Sequence, residues 1–580
     1  MKNRRGKEVG AALLTALLVL VVLVGLSVAL LQVSMADHRE ARFNREIIKA
    51  TALAEGATEI AHKELLIAAA NYRAVPTGGM AIVAEAEIPY AITPVGSQRI
   101  EVDPQGVQTI IQPYLISADG TCNGYTKHVE KIIDLEKTPI FQYVVFYNED
   151  LEILPGPSMH LYGRIHSNHD IYIGCNNILT LETEYLHSAG QIFRRRKNDI
   201  TPTHGTVDIK VMGSANYVNM EGLHDFPPPS VSGFDSDFLG YDDNGDGDYD
   251  DPGDYENWTT RSLDLWEGTV QTAEHGVKQI ETPAIGAIQM YVPAEEGGDY
   301  AYDDATDTYY PVAPGTGDYE EGFFHGNAGL VIADGTVFDA DGNEITVWPD
   351  TDGDGTGDSP IIESTFYDGR EDKYITTTDI DLEVLGDSGY WPDNGLIYAV
   401  DTSADDSQPD GIRLVNADVL AAPLTVVSPT PVFTLGDYNV GDATTSKQPA
   451  AIITDAYNIL SNAWDDADKA PGHLPSASET TINAAFISGA YETNPGMYNG
   501  GFENLPRFHE KWSGVGCHIR GSFVNIWDSE VAKGPWVYGG DNYTAPGRDW
   551  NYDTDFNDVS KLPPFTPSVV GTTRVVWVMR

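Results

Sequence analysis

The distribution of apolar and polar positions divides the chain into unlike parts. Residues 11–33, AALLTALLVLVVLVGLSVALLQV, form an apolar run without a charged residue, preceded by Lys2, Arg4, Arg5 and Lys7. At about 1.5 Å per residue this run extends roughly 34 Å as a helix, enough to cross a hydrocarbon core of about 30 Å. A core helix of a globular domain would keep a polar face, which this run lacks. A cleaved export signal has a shorter apolar core followed by small residues at a cleavage site. Here helix-forming residues continue instead, with no proline or turn before Asn71. The pattern therefore predicts one helix that spans a membrane and emerges from it. In the emergent part Phe43, Ile47, Ile48, Leu53, Ile60, Leu65 and Leu66 recur at three-, four- and seven-residue spacings and predict an apolar stripe for packing.

After the helix, period-two alternation takes over. Residues 76–137 hold four alternating runs, MAIVAEAEIPYAITPVG, SQRIEVDPQ, GVQTIIQPYLISADG and YTKHVEKIIDLEK, separated by Gly, Pro and Asp turns. They predict a small β domain laid on the end of the helix. From residue 138 the β runs shorten and crowd together, as in MHLYGRIHSN, HDIYIG and ILTLETEYLHSAGQIF. Brief strands with Asn and Gly corners suit the stacked coils of a β-solenoid, with a sandwich as the alternative. The same pattern returns over 381–580, where FENLPRFHEKW at 502–512 reads as a short helix. Residues 211–380 read as an acidic, Asp- and Gly-rich insertion between the two solenoid parts. Within it WTTRSLDLWEGTVQTAEHGVKQI is helix-compatible, and FFHGNAGLVIADGTVFDADGNEITV predicts a hairpin turning at DADGN. The expected class is mainly β, behind one long N-terminal helix.

The first stretch resembles a known family. A short basic leader, RRGKEVG, the run GAALLTALLVLVVLVGLSVALL and the mixed-charge DHREARFNRE are similar to the N-terminus of PilX-type minor pilins and related pilin-like proteins of type IV pilus and type II secretion systems. The likeness covers about the first 70 residues. It implies a basic prepilin-like leader at 1–10, a pilin-like helix at 11–75, a cytoplasmic N-terminus and an exported body. It also implies prepilin peptidase and other pilin or pseudopilin subunits as partners. That peptidase cuts after a glycine, and Gly6 and Gly10 are both candidates. Major pilins carry glutamate at the fifth mature position, where this chain offers Ala11 or Thr15. Segments of the second half, among them PTPVFTLGDYN and RDWNYDTDFNDVSKLPPFTPSV, resemble uncharacterised exported bacterial proteins that begin with a PilX-like helix. That second likeness bears on architecture and localisation alone.

Charge narrows the partners. With 87 acidic and 35 basic residues the formal net charge is -52, and the basic surface that phosphate binding needs is missing, so nucleic acid is not an expected partner. Three cysteines, Cys122, Cys175 and Cys517, stand far apart, giving neither a disulfide framework nor a CxxC metal site.

Two acidic loops carry calcium-loop spacing. Asp242, Asn244, Asp246, Asp248 and Asp250 form one, with Gly247 at its sixth position. Asp350, Asp352, Asp354, Thr356 and Asp358 form the second, with Gly355 at the sixth. Alternate oxygens and a glycine for the sharp turn let one loop wrap a hard cation. Gly253 and Ile361 stand where an EF-hand would place its glutamate, so these loops are more like those of extracellular repeat modules, with calcium as the candidate cofactor.

His160, His166, His169, His187 and His204 raise the question of a metal site. His166 and His169, three residues apart, fall on opposite faces of a strand, which favours a structural turn held by Ser167 and Asn168. Asp549, Asp553, Asp555 and Asp558 raise the question of glycosidic acid and base chemistry, but they lie in a Gly-, Trp- and Asn-rich loop. No GxSxG, HExxH, Walker or dinucleotide fingerprint occurs. The expectation is a non-enzymatic, single-pass, minor-pilin-like structural protein. A membrane-anchored adhesin or carbohydrate-binding solenoid is the alternative, and a polysaccharide lyase or hydrolase the third.

Overall fold

The computed structural model describes residues 4–70, 75–198, 203–220, 257–283, 285–306, 308–351, 353–491, 493–494 and 497–579. Helix α1, Arg4–Ala70, is continuous over 67 residues. Its residues 11–45 are exposed throughout, and burial begins at Glu46.

From there α1 lies on an antiparallel sheet ordered Gly78–Val83, Ala86–Pro94, Gln108–Cys122, Tyr125–Pro139 and Ser568–Met579, with Arg99–Val102 paired beside Gln108–Cys122. The last of these strands comes from the C-terminal end, so the small β domain is closed by residues more than 400 positions away in sequence. The buried seam of α1 is mostly alanine: Ala50, Ala54, Ala57, Ala61, Leu65 and Ala69 are shut off from solvent. Of the larger apolar residues expected to form the stripe, Leu65 lies in the seam as expected, and others are placed differently. Phe43 and Ile48 are exposed, and Leu53, Ile60 and Leu66 only flank the seam. Alanine wins because its short side chain lets the helix backbone approach the sheet closely. At Gly120 an added Cβ would sit 2.0 Å from the Ala50 carbonyl oxygen and 2.6 Å from the Ala54 nitrogen. Lys131, also buried, donates from Nζ to Glu59 Oε2 at 2.8 Å and lies 2.9 Å from His62 Nδ1.

The rest of the chain is mainly short parallel strands. An eleven-stranded sheet runs Val270–Gln271, Leu186–Ser188, Ile165–Ser167, Val145–Tyr147, Phe523–Asn525, Ala485–Ser488, Ala450–Thr454, Leu424–Ser428, Leu396–Val400, Leu330–Ala333 and Thr336–Asp339. All its pairings are parallel except the terminal hairpin. Other parallel ladders accompany it: Leu151–Ile153 with Ile171–Ile173 and Ile192–Phe193, Met159–Tyr162 with Ile178–Glu182 and Thr206–Lys210, and Lys373–Asp381 through Gly411–Val415, Val432–Leu435 and Tyr457–Leu460 to Arg507–Phe508.

Strand order along the long sheet differs from chain order. The chain joins it in the middle at Val145, builds outward to Val270, reappears at the far end at Leu330 and builds back until Phe523 pairs with Val145. The two stretches that the acidic segment separates in sequence therefore share one ladder. Register places Leu330, Ile397, Val426, Ile452, Phe486, Phe523, Val145, Ile165, Leu186 and Val270 in one row, each at most 2% exposed. Burial of that row, at about 1.5–3 kcal/mol for a large aliphatic or aromatic side chain, is a main source of the body's stability.

Three sequence expectations change here. Part of 211–380 belongs to the body: Leu330–Ala333 and Lys373–Asp381 are ladder strands, and helix Trp258–Trp266, capped by Asn257 accepting from Thr260 N at 3.0 Å, buries Trp258 and Trp266. The hairpin turns first at Asp334 and Gly335, φ 49° and 75°, an Asp-Gly pair suited to a tight two-residue turn. DADGN makes the following turn, with Asp339 N donating to Asn343 O at 3.0 Å. The helix expected at 502–512 is instead a 3-10 turn, Gly501–Asn504, then strand Arg507–Phe508. Pro506 lies between them, and a proline there interrupts helical hydrogen bonding.

Candidate functional site

The feature with the plainest functional consequence is the bare half of α1. Leu13, Leu20 and Leu30 are 74%, 59% and 67% exposed, and the large apolar residues between them are exposed too. Water is a poor solvent for such a continuous surface, whereas a lipid core suits it. Among the described residues α1 is the helix long and apolar enough to cross a membrane. Gly6 and Gly10 both fall within its first turns.

In the second acidic loop, the described carboxylates bind the loop's own backbone. Asp350 accepts from Gly353 N at 2.6 Å through Oδ1 and from Gly355 N at 2.8 Å through Oδ2. Asp354 Oδ1 accepts from Thr356 N at 2.7 Å, and Asp358 Oδ2 accepts from Thr351 N and Oγ1 at 2.7 and 2.6 Å. Gly355 has φ 93°, the left-handed conformation that its place in the loop favours. Asp352 and the whole first loop, Asp242, Asn244, Asp246, Asp248 and Asp250, lie outside the described residues. Among the described residues no three His, Cys, Asp or Glu side chains come together as a metal set.

The histidines are dispersed into structural roles. His166 and His187 are adjacent in register on the long sheet. His166 stacks on Phe146 at 5.2 Å and His187 on Tyr185 at 3.6 Å. Burial pushes His166 down to about 4 and His187 down to about 3, so both are neutral near pH 7. Ser167 and Asn168 hold the corner between strands: Ser167 Oγ donates to Glu149 O at 2.8 Å, and Asn168 Nδ2 donates to Ile280 O at 2.7 Å. His160 and His169 face Glu182 and Glu149 at the surface.

The C-terminal aspartates are distributed among cations. Asp549 pairs with Arg520 at 2.7 Å and His518 at 3.1 Å, Asp553 with Lys447, and Asp555 with Lys561 at 3.0 Å. Asp558 caps a turn by accepting from Ser560 N at 3.0 Å. Cys122 and Cys517 are free thiols.

Sequence reasoning missed a buried polar network over 503–510. Arg507 pairs with Glu371, both nearly closed to solvent, and His509 Nδ1 lies 3.3 Å from Asp368 Oδ1. Glu510 accepts from Ser461 N and Oγ, each at 2.7 Å. Glu503 Oε1 accepts from Leu154 N at 2.9 Å, while its Oε2 has no partner. The available signal was Pro506, which argues against the helix that would have left these charges at the surface.

No family model matches the chain, and no curated protein does. Among solved structures, the competence-associated pilin ComZ from Thermus thermophilus is similar at 9% identity and a TM-score of 0.25, over 92% of this chain and 98% of that one.

Proposed function

We propose that the chain is a minor-pilin-like, membrane-anchored structural protein whose N-terminal helix assembles with pilin or pseudopilin subunits of a type IV pilus or a type II secretion system. One observation carries this reading. A single unbroken helix is bare and apolar in its first half and lies along an antiparallel sheet in its second. A helix of that form anchors a folded head and offers an apolar surface to identical or related helices. The PilX-type likeness of the leader, the export of the body and the action of prepilin peptidase belong to the same proposal. The body is proposed as a β-solenoid whose two chain segments join at Phe523 and Val145, a reading supported by in-register parallel ladders on several faces. No catalysis is assigned to it.

Mass spectrometry of the mature N-terminus tests the pilin reading. A chain starting at Lys7 or Ala11 is expected, from cleavage after Gly6 or Gly10. An intact leader, or a start beyond residue 33, contradicts it.

Calcium is proposed as the ligand of loop 350–358, supported by its oxygen spacing and by the conformation of Gly355. Binding in the range of extracellular modules, about 10⁻⁴ to 10⁻³ M, is expected by calorimetry and is expected to vanish in Asp350→Ala. Absence of calcium heat in the full chain contradicts it.

A further inference from the structure

A cleft of about 600 Å³ opens on the side of the body, between the corner that follows strand Leu151–Ile153 and the loops around residues 498–514 and 536–548. Its wall is aromatic. Trp536 and Tyr538 lie nearly parallel, 18° apart with centroids at 6.1 Å, and Tyr498 meets Trp536 edge-on at 5.0 Å. Trp536 Nε1 donates to Tyr543 Oη at 2.5 Å, which fixes the indole plane. Tyr538 is 53% exposed.

The charges in this cleft run against the rest of the molecule. Arg196 and Arg548 line it in a chain whose formal net charge is -52. Arg196 lies over the Tyr498 ring at 5.1 Å and Arg548 over Trp550 at 5.2 Å. Arg196 lies in the field of Glu152 and Arg548 in that of Glu503, and Arg548 Nη2 donates to Glu503 O at 3.5 Å. Glu503, 5% exposed, also lines the cleft, and its Oε2 has no hydrogen-bond partner.

We propose that this cleft binds an acidic glycan, a saccharide chain carrying uronate carboxylates among many hydroxyls. Flat aromatic faces suit the C–H faces of sugar rings, and a guanidinium fork suits a carboxylate. The Tyr538 hydroxyl supplies a hydrogen-bond partner for sugar hydroxyls. A uronate chain carries its carboxylates on hydroxyl-rich rings with apolar C–H faces, which a phosphodiester backbone and a peptide both lack. The inference is independent of the pilin reading, since it concerns the body and not α1.

The test is calorimetric titration of the full chain in detergent micelles with oligogalacturonate, oligomannuronate and a chondroitin oligosaccharide. Neutral maltohexaose, oligothymidylate and a poly-glutamate peptide serve as comparators. Saturable binding of at least one uronate probe is expected, weakened roughly tenfold or more in Tyr538→Ala and in Arg196→Gln at an unchanged melting temperature. The exposed position of Tyr538 makes its variant safe for folding. The proposal is overturned by no uronate binding, by binding unaltered in both variants, or by equal or tighter binding of any comparator.

Discussion

The N-terminal unit and the parallel body solve the problem of a stable interior in opposite ways. Where α1 meets its sheet, alanines of the helix pack on Gly120 and on larger sheet residues such as Ile116, Ile133 and Leu135, so stability rests on how closely the helix backbone approaches the sheet. In the body, mostly short strands stack in register around large side chains, and ions such as Arg507, Glu371 and Asp368 are enclosed with their partners. The first arrangement tolerates no added bulk, and the second no lost partner. The difference also separates roles, because the N-terminal unit continues into a bare apolar rod while the body is closed around its own core.

Changes directed at one region should leave the other's property intact. The largest effect is expected from Leu20→Arg combined with Leu23→Arg. Two arginines at the centre of the span cost about 5–7 kcal/mol of insertion free energy. The variant should lose membrane retention while circular dichroism of the body is unchanged. Loss of the β signal as well would mean that the rod helps fold the body.

Next is a pH effect confined to the body. Burial, only partly offset by Arg548, pushes Glu503 up to about 7 from an ordinary 4.5. An acid whose folded pKa is raised favours folding while protonated, so this contribution is present below about pH 4.5 and is lost as pH rises through 7. The loss amounts to about 3 kcal/mol by pH 8. Glu503→Gln should flatten that part of the stability profile measured by urea denaturation. An unchanged slope between pH 4.5 and 8 in the variant would remove Glu503 as the cause.

The smallest effect is expected at the seam. Gly120→Val places a branched side chain against the α1 backbone and should destabilise the N-terminal unit by about 1–3 kcal/mol, the usual cost of overpacking. Hydrogen exchange should quicken on Gln108–Cys122 and on α1 from Glu46 onward, with the long parallel sheet unaffected. Uniform quickening would show that the two regions unfold as one.

Much of this was legible in the chain. The uncharged run and the lack of any breaker before Asn71 locate α1, and period-two alternation locates the sheet beneath it. The alanine seam escaped notice because stripes are sought among large apolar residues, while close packing selects the smallest. The single ladder escaped because register between Phe523 and Val145 depends on contacts remote in sequence. At 502–512 the spacing of Phe502, Leu505, Phe508 and Trp512 imitates a helix, yet all four are buried in the body around a turn at Pro506. The aromatic cleft has no sequence signature, since its wall is gathered from Arg196, Tyr498, Trp536 and Arg548, which only the stacked fold brings together.

The central claim is that the bare half of α1 sits in lipid and carries the folded body with it. Alkaline carbonate washing of membranes from cells making the native chain tests it most directly. The account predicts that the β-rich body stays with the washed membrane through residues 11–33 and is released only by detergent. Recovery of the chain, apolar run included, in the aqueous fraction without detergent would contradict it.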